Sequence, residues 1–279
     1  MILVTAATGN VGRELVPQLL QAGQQVRAGT RHPDAASFPQ GTDVVRLDFG
    51  DPGSVRAAVQ GVRAVYLIVP ETVDTDALTG SLKAMRDAGV GRVVLQSGFG
   101  AQDGGNPLGD AEDAVRASGL AWTILRPNWF MQNYNQMFRK GVRDRDEFAE
   151  PTGTHRTSFI DARDIAAAAT ATLTQAGHEG HAYDLTGPES LDRAAVAEAL
   201  SAALGRHITY SAVDDDGFVA FMTGTGESDE EEARGIASIY APIRADRTAD
   251  VTPDLKRLTG RAGFTVHEFA QHYRHDWER

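Results

Sequence analysis

Met1-Ile-Leu-Val-Thr-Ala-Ala-Thr-Gly-Asn-Val-Gly12 is the stretch whose reading decides the fold. Ile2 to Thr5 is a short apolar run of β-forming residues, and a turn of small residues follows at once. Beyond the turn, Val11, Leu15, Val16, Leu19 and Leu20 fall on one side of a helix. Strand, tight turn and helix in that order make a phosphate cradle. Backbone N–H groups approach a pyrophosphate there, and the helix start adds the positive end of its dipole. The spacing is that of a Gly-x-x-Gly-x-x-Gly loop with Gly9 and Gly12 in place and Ala6 where the first glycine would stand. The pattern gains weight because it follows a β-like run and opens a helix. Valine at Gly9 or Gly12 is expected to block the pyrophosphate while leaving the fold largely intact, and Ala6→Gly to be tolerated. Pro17 lies inside the expected helix and removes one N–H, so a kink is expected there.

The second expected strand, Gln25–Thr30, leads into Arg31, nineteen residues after Gly12. An acid at this position holds the ribose hydroxyls of NAD, whereas a base suits the 2′-phosphate of NADP. Thr30-Arg31-His32 carries no carboxylate, which favours NADP(H). The third expected strand, Asp43–Leu47, ends in Asp48-Phe49. That pair either brackets an adenine or simply starts the turn into Asp51-Pro52.

The chain has 279 residues, 42% of them hydrophobic and 23% charged, as in a soluble globular enzyme. Its formal net charge of −11 argues against nucleic-acid binding, which needs a basic surface. No apolar segment approaches a membrane span. A strand expected at the very start leaves no room for a signal peptide. The chain has no cysteine, which removes disulfides, thiol nucleophiles and thiolate metal sites. A cytoplasmic protein is the expectation.

Strand and helix signals alternate through the first half. Helix 52–60 precedes the apolar run Ala64–Val69, which suits a strand buried on both faces of a parallel sheet. Helix 75–88, strand 92–96, helix 110–118 and strand 122–126 follow. This alternation predicts an α/β fold, a Rossmann-type doubly wound parallel sheet. Ligands in such sheets bind outside the carboxyl ends of the strands. The residues expected there are the Gly9 turn, Arg31, Asp48-Phe49, Val69-Pro70, Ser97-Gly98 and Pro127-Asn128. Residues 1–150 are read as the nucleotide-binding domain. Residues 151–279 are read mainly as a smaller α/β substrate lobe with segments returning to the sheet. A helix over 161–173, a returning strand over 183–186, a helix capped by Ser190 and a final helix over 266–277 complete the reading. Glu227–Glu232 is expected to be a solvated helix start.

Several segments together resemble the NmrA-like branch of the atypical short-chain dehydrogenases/reductases. They are Val4–Gly12, Gly89–Ser97, Ser118–Pro127, Asp161–Ile165 and Tyr183–Pro188. Leu125-Arg-Pro-Asn-Trp-Phe-Met-Gln-Asn-Tyr134 is especially similar to the bacterial NADPH:quinone oxidoreductases. The resemblance implies pyrophosphate contacts from Thr8, Gly9, Asn10, Val11 and Gly12, and a 2′-phosphate contact from Arg31. It places Val69 and Pro70 along the ribose, and Pro127, Asn128 and Trp129 at the nicotinamide end; Ser97, Asp48 and Phe49 are also expected among the cofactor-binding residues.

The usual short-chain reductase protonates its product with a tyrosine whose pKa is lowered by a lysine four residues on. This chain has no tyrosine between Tyr66 and Tyr134 and no lysine between Lys83 and Lys140. A simple ketone would therefore lack its acid. Ser97, Asn128 and Tyr134 remain the candidate catalytic groups: Ser97 as a hydrogen bond to a carbonyl, Asn128 shaping the nicotinamide pocket, Tyr134 facing the substrate. His272 and His275 have metal-compatible spacing but no partner motif, so no metal is expected. The expected function is hydride transfer from NADPH to a quinone or other conjugated carbonyl. The alternative is an NADP-binding regulator without turnover. The expected partner is an aromatic or quinone-like small molecule; a homodimer is compatible with the sequence, and neither nucleic acid nor membrane is expected.

Overall fold

The computed structural model describes residues 1–70 and 72–279. In chain order the elements are β1 (Ile2–Val4), α1 (Asn10–Gln21), β2 (Val26–Thr30), β3 (Thr42–Arg46), α2 (Pro52–Ala58), β4 (Ala64–Ile68), α3 (Thr75–Asp87), β5 (Arg92–Gln96), α4 (Pro107–Ala117) and β6 (Ala121–Pro127). Then come β7 (Glu147–Glu150), α5 (Ala162–Thr174), β8 (His181–Leu185), α6 (Arg193–Leu204), β9 (Thr209–Ala212), α7 (Asp215–Thr225), α8 (Glu230–Ser238), α9 (Ala241–Arg244), α10 (Asp254–Thr259) and α11 (Val266–His272).

Seven strands form one parallel sheet in the order β3-β2-β1-β4-β5-β6-β8. This is the doubly wound α/β architecture. The strand order reverses between β1 and β4, which pair Ile2 with Ala64 and Val4 with Tyr66. Crevices for ligands open at such reversals, at the carboxyl ends of the strands. The central strands are buried on both faces: Ile2, Leu3, Val4, Val65, Tyr66, Leu67, Val93 and Val94 expose none of their surface. That is why their sequences run apolar without alternation.

The chain divides into two units. The first comprises Met1–Pro127, Ala162–Leu185 and Asp254–Arg261; the second comprises Asn128–Asp161, Thr186–Pro253 and Ala262–Arg279. The second has its own core, with Tyr134, Phe138, Phe148, Phe159, Phe218, Tyr240, Phe269 and Trp277 all buried. It also carries a small parallel sheet of β7 and β9, in which Phe148 lies opposite Tyr210 with rings stacked 5.6 Å apart.

Several local expectations need correction. α4 starts at Pro107, a turn earlier than expected, because Asn106 accepts a hydrogen bond from the Gly109 N–H and Pro107 suits the first helical position. α6 is capped by Asp192, whose carboxylate accepts from the Ala195 N–H, and not by Ser190. The last helix breaks after His272, and Arg274–Trp277 continues as a 3₁₀ turn.

Candidate functional site: a dinucleotide cradle

The cradle begins where β1 ends. The Thr5 hydroxyl accepts from the Ile68 N–H at 2.8 Å, and the Thr5 N–H donates to the Tyr66 carbonyl at 3.0 Å. Thr5 thereby ties together the ends of the two strands that flank the reversal. The Ala7 N–H donates to the Gly29 carbonyl, and the Gly9 N–H closes the turn onto the Ala6 carbonyl at 2.9 Å. Ala6 takes the left-handed conformation, φ 46°. Thr8 and Gly9 stand exposed.

α1 starts with extended Gly9 as its N-cap, no side chain capping it and no acid in its first turn. The starts of α2, α3, α4, α6, α7, α8 and α11 are all capped by a side chain, from Asp51, Asp74, Asn106, Asp192, Asp214, Asp229 and Thr265. The positive end of α1 thus carries no side-chain cap. Gly12 is buried and serves a different purpose. A Cβ there would lie 2.6 Å from the Ala6 carbonyl oxygen and from Ala7 Cα. Gly12 lets the helix start press against its own turn. The expectation that valine at Gly12 spares the fold is therefore corrected. At Gly9 a Cβ meets only the Ala6 carbonyl oxygen, at 3.2 Å.

Arg31 follows β2 directly, is exposed, and holds no ion pair among the described residues. Asp48 is a turn residue: its carboxylate accepts from the Gly50 N–H at 3.0 Å, and its backbone exchanges hydrogen bonds with the Ser54 hydroxyl. Phe49 is buried in the core cluster that includes Leu3, Leu47 and Val65. Val69 is half-buried and Pro70 exposed, both just after β4. Pro127 is buried as the last residue of β6.

Ser97, just beyond β5, is held by a group that sequence reasoning missed. Its hydroxyl donates to Glu112 of α4 at 2.8 Å, and Glu112 exposes none of its surface. Arg126 of β6 grips the same carboxylate through Nε at 2.8 Å and Nη2 at 2.6 Å, and Arg116 adds a contact at 2.7 Å. Burial alone would raise the Glu112 pKa. The hydrogen bonds from Arg126 and Ser97 outweigh it and hold the carboxyl below the ordinary glutamate value. The available signals were a lone arginine in the apolar strand 121–127 and the i,i+4 pair Glu112/Arg116. Tyr66 is buried with its hydroxyl donating to Gln96 at 2.6 Å.

The three expected residues of the second unit serve that unit's own packing. Asn128 is buried; its amide donates to the Ser158 hydroxyl at 2.8 Å and the Thr248 carbonyl at 2.9 Å, and its oxygen accepts from the Trp129 N–H. Trp129 packs on Tyr240 with ring centroids 4.8 Å apart. Tyr134 is 1% exposed and lies between Phe148, Phe159 and Phe138 at 5.2–5.8 Å. Burial, and then the nearby Glu150 carboxylate, raises its pKa well above the tyrosine norm. The expectation of a substrate-facing Tyr134 is corrected: it is a core aromatic. Glu150 itself pairs with fully buried Arg193 at 2.9 Å. Nothing in the sequence marked that pair, because Arg193 sits beside a helix cap, where a solvated arginine is ordinary.

A reversed parallel sheet with an uncapped glycine turn at the reversal defines a dinucleotide-binding protein. The comparisons agree: a family model described as NAD(P)H-binding matches residues 6–176, and the chain belongs to that family. It is 38% identical to an NAD(P)H azoreductase of Xenophilus azovorans, over 97% of each chain. The structure of an NADPH-dependent quinone oxidoreductase from Escherichia coli, complexed with NADPH, superposes with a TM-score of 0.85 at 26% identity, covering 98% of this chain and 100% of that one. A Citrobacter triphenylmethane reductase complexed with NADP(H) gives 0.84 at 26% identity, covering 97% and 99%.

Proposed function

We propose that this NAD(P)H-dependent oxidoreductase uses NADPH and delivers hydride to a quinone or comparably conjugated small molecule. The observation that carries the reading is a phosphate cradle beside strand ends whose proton donors are already engaged. The start of α1 would hold the pyrophosphate, with the Gly9 turn shaped to let it approach, Arg31 would hold the 2′-phosphate, and Val69 and Pro70 the ribose. Bound NADPH supplies the hydride. In this unit the Ser97 and Tyr66 hydroxyls donate to Glu112 and Gln96. Nowhere in the sequence does a lysine follow a tyrosine by four residues. An acceptor whose reduced form is a delocalised anion needs no such acid: a quinone takes the hydride and then one proton from water, giving the hydroquinone. The protein's part is to bind, orient and exclude. The relatives support this class, being named for azo, quinone and triphenylmethane reduction.

The test is NADPH oxidation with a panel of quinones, azo dyes and unconjugated ketones. Conjugated acceptors are expected to react at least about 10²-fold faster, the low end of what a general acid contributes. Ketones reduced as fast as quinones would sink the reading. Tight NADPH binding with no acceptor turned over would make the chain a regulator instead.

A further inference from the structure

The polarity of the Ser97 hydroxyl is set by what lies behind it. A hydroxyl has one hydrogen and two lone pairs, and an ionised carboxylate only accepts. Glu112 receives N–H groups from Arg126 and Arg116 on both oxygens, so it is ionised, and the single Ser97 hydrogen is directed at it. Ser97 can therefore offer a ligand only its lone pairs. A reductase serine donating to a substrate carbonyl would need the opposite arrangement.

The place of Ser97 in the sheet says which ligand group it meets. The pyrophosphate cradle follows β1. Arg31 follows β2, on one side of β1, and so marks the adenosine end. β4 and β5 lie on the other side. Ser97 follows β5, two strands from β1, roughly 10 Å across the sheet at ordinary strand spacing. A dinucleotide laid across the reversal puts its nicotinamide riboside half on that side.

We propose that Ser97 binds the cofactor as a hydrogen-bond acceptor for an O–H or N–H donor on the nicotinamide riboside half, and that Glu112, clamped by Arg126, is the positioning residue that holds Ser97 in that state. This rests on the NADPH reading above. Ser97 in this role raises affinity and sets the orientation of the nicotinamide, and it donates no proton to the acceptor.

Glu112→Gln provides a specific test. One carboxylate oxygen meets two arginine N–H groups; the other meets Ser97 and a single arginine N–H. A glutamine places its NH₂ on the less crowded side and donates to Ser97, which occupies one of the two lone pairs and releases the hydroxyl hydrogen to turn toward the ligand, where it opposes the ligand's own donor. The experiment measures binding of NADP⁺ and of 2′,5′-ADP, which lacks the nicotinamide half, to the wild type and to four variants. These are Ser97→Ala, Ser97→Thr, Glu112→Gln, and the double variant that combines Ser97→Ala with Glu112→Gln. Ser97→Ala and Glu112→Gln are each expected to weaken NADP⁺ about three- to tenfold, the worth of one neutral hydrogen bond. The double variant should be no weaker than Ser97→Ala. Ser97→Thr should restore binding, and 2′,5′-ADP should be unaffected throughout. The nicotinic acid analogue of NADP⁺, which lacks the carboxamide N–H, separates a ribose hydroxyl from the carboxamide as the donor. Unchanged NADP⁺ affinity in Ser97→Ala overturns the proposal, and that variant leaves the ion pair intact. Equal weakening of 2′,5′-ADP, or additive losses in the double variant, overturns it too. A wild type that binds no NADP⁺ refutes the cofactor reading itself.

Discussion

Ala6 carries backbone strain at the point where the cradle turns. Its φ of 46° is a conformation glycine adopts freely and alanine does not. Ala6→Gly removes that strain but makes the unfolded chain more flexible, so stability should rise by at most about 1 kcal/mol. Ala6→Val places a β-branched side chain in the same conformation and should lower Tm in a thermal melt. A lower Tm for Ala6→Gly than for wild type would show that the turn relaxes when the side chain is lost. Arg31 concerns affinity instead. One charge-assisted hydrogen bond is worth about 1.5–3 kcal/mol. Arg31→Ala should therefore weaken NADPH about tenfold or more and leave NADH nearly unchanged; equal losses for both cofactors would remove Arg31 from the 2′-phosphate. Glu112 adds a pH dependence. Its folded pKa is lowered, so the stability it contributes is present above the ordinary glutamate pKa of about 4.3 and lost as pH falls below it. Glu112→Gln should flatten that part of the acid-unfolding curve, and an unchanged acid limb would mean the ion pair is replaced by solvent at no cost.

At the scale of elements, α1 and its turn form one packing unit. Because a Cβ at Gly12 would strike the backbone of the turn, Gly12→Val should lower stability as well as cofactor binding. Gly9→Val should mainly reduce binding. Circular dichroism melts set beside cofactor titrations separate the two effects, and equal Tm values for both variants would contradict the packing argument. The same elements show what a sequence can disclose. The alternation of strands and helices was legible because buried parallel strands such as Ala64-Val-Tyr-Leu-Ile68 leave unbroken apolar runs, and turn residues punctuate them. β7 and β9 were not legible. Glu147-Phe-Ala-Glu150 and Thr209-Tyr-Ser-Ala212 are four residues each and largely polar, and they become strands only by pairing across about sixty residues of chain. Within the candidate site, the Gly9 turn announces itself by local spacing. Glu112 acquires its importance from Arg126 and Ser97, which reach it from two different strands, and no local pattern records such a meeting.

For the whole molecule, the described residues of each unit include a deeply buried ion pair, Glu112–Arg126 in the first and Glu150–Arg193 in the second. Removing one member strands the other charge. Arg193→Met should cost about 3–5 kcal/mol. Replacing both partners with apolar residues, as in Glu150→Leu with Arg193→Met, should recover most of that in denaturant titrations. A double variant no more stable than the single would show that the pair is needed for more than mutual neutralisation. The composition of the first unit has one further consequence. Its sheet takes β8 from residues 181–185 and a packed helix from 254–259, so its last piece is encoded near the end of the chain. Synthesis runs at about 5–20 residues per second. Residues 128–185 therefore take about 3–12 s to add, and until then the sheet lacks its edge strand. Chains stalled before residue 181 should be cut readily by protease within the first 127 residues, and chains released at full length should resist. Such a protein would owe its yield in the cell as much to chaperones met during translation as to the stability of the finished fold.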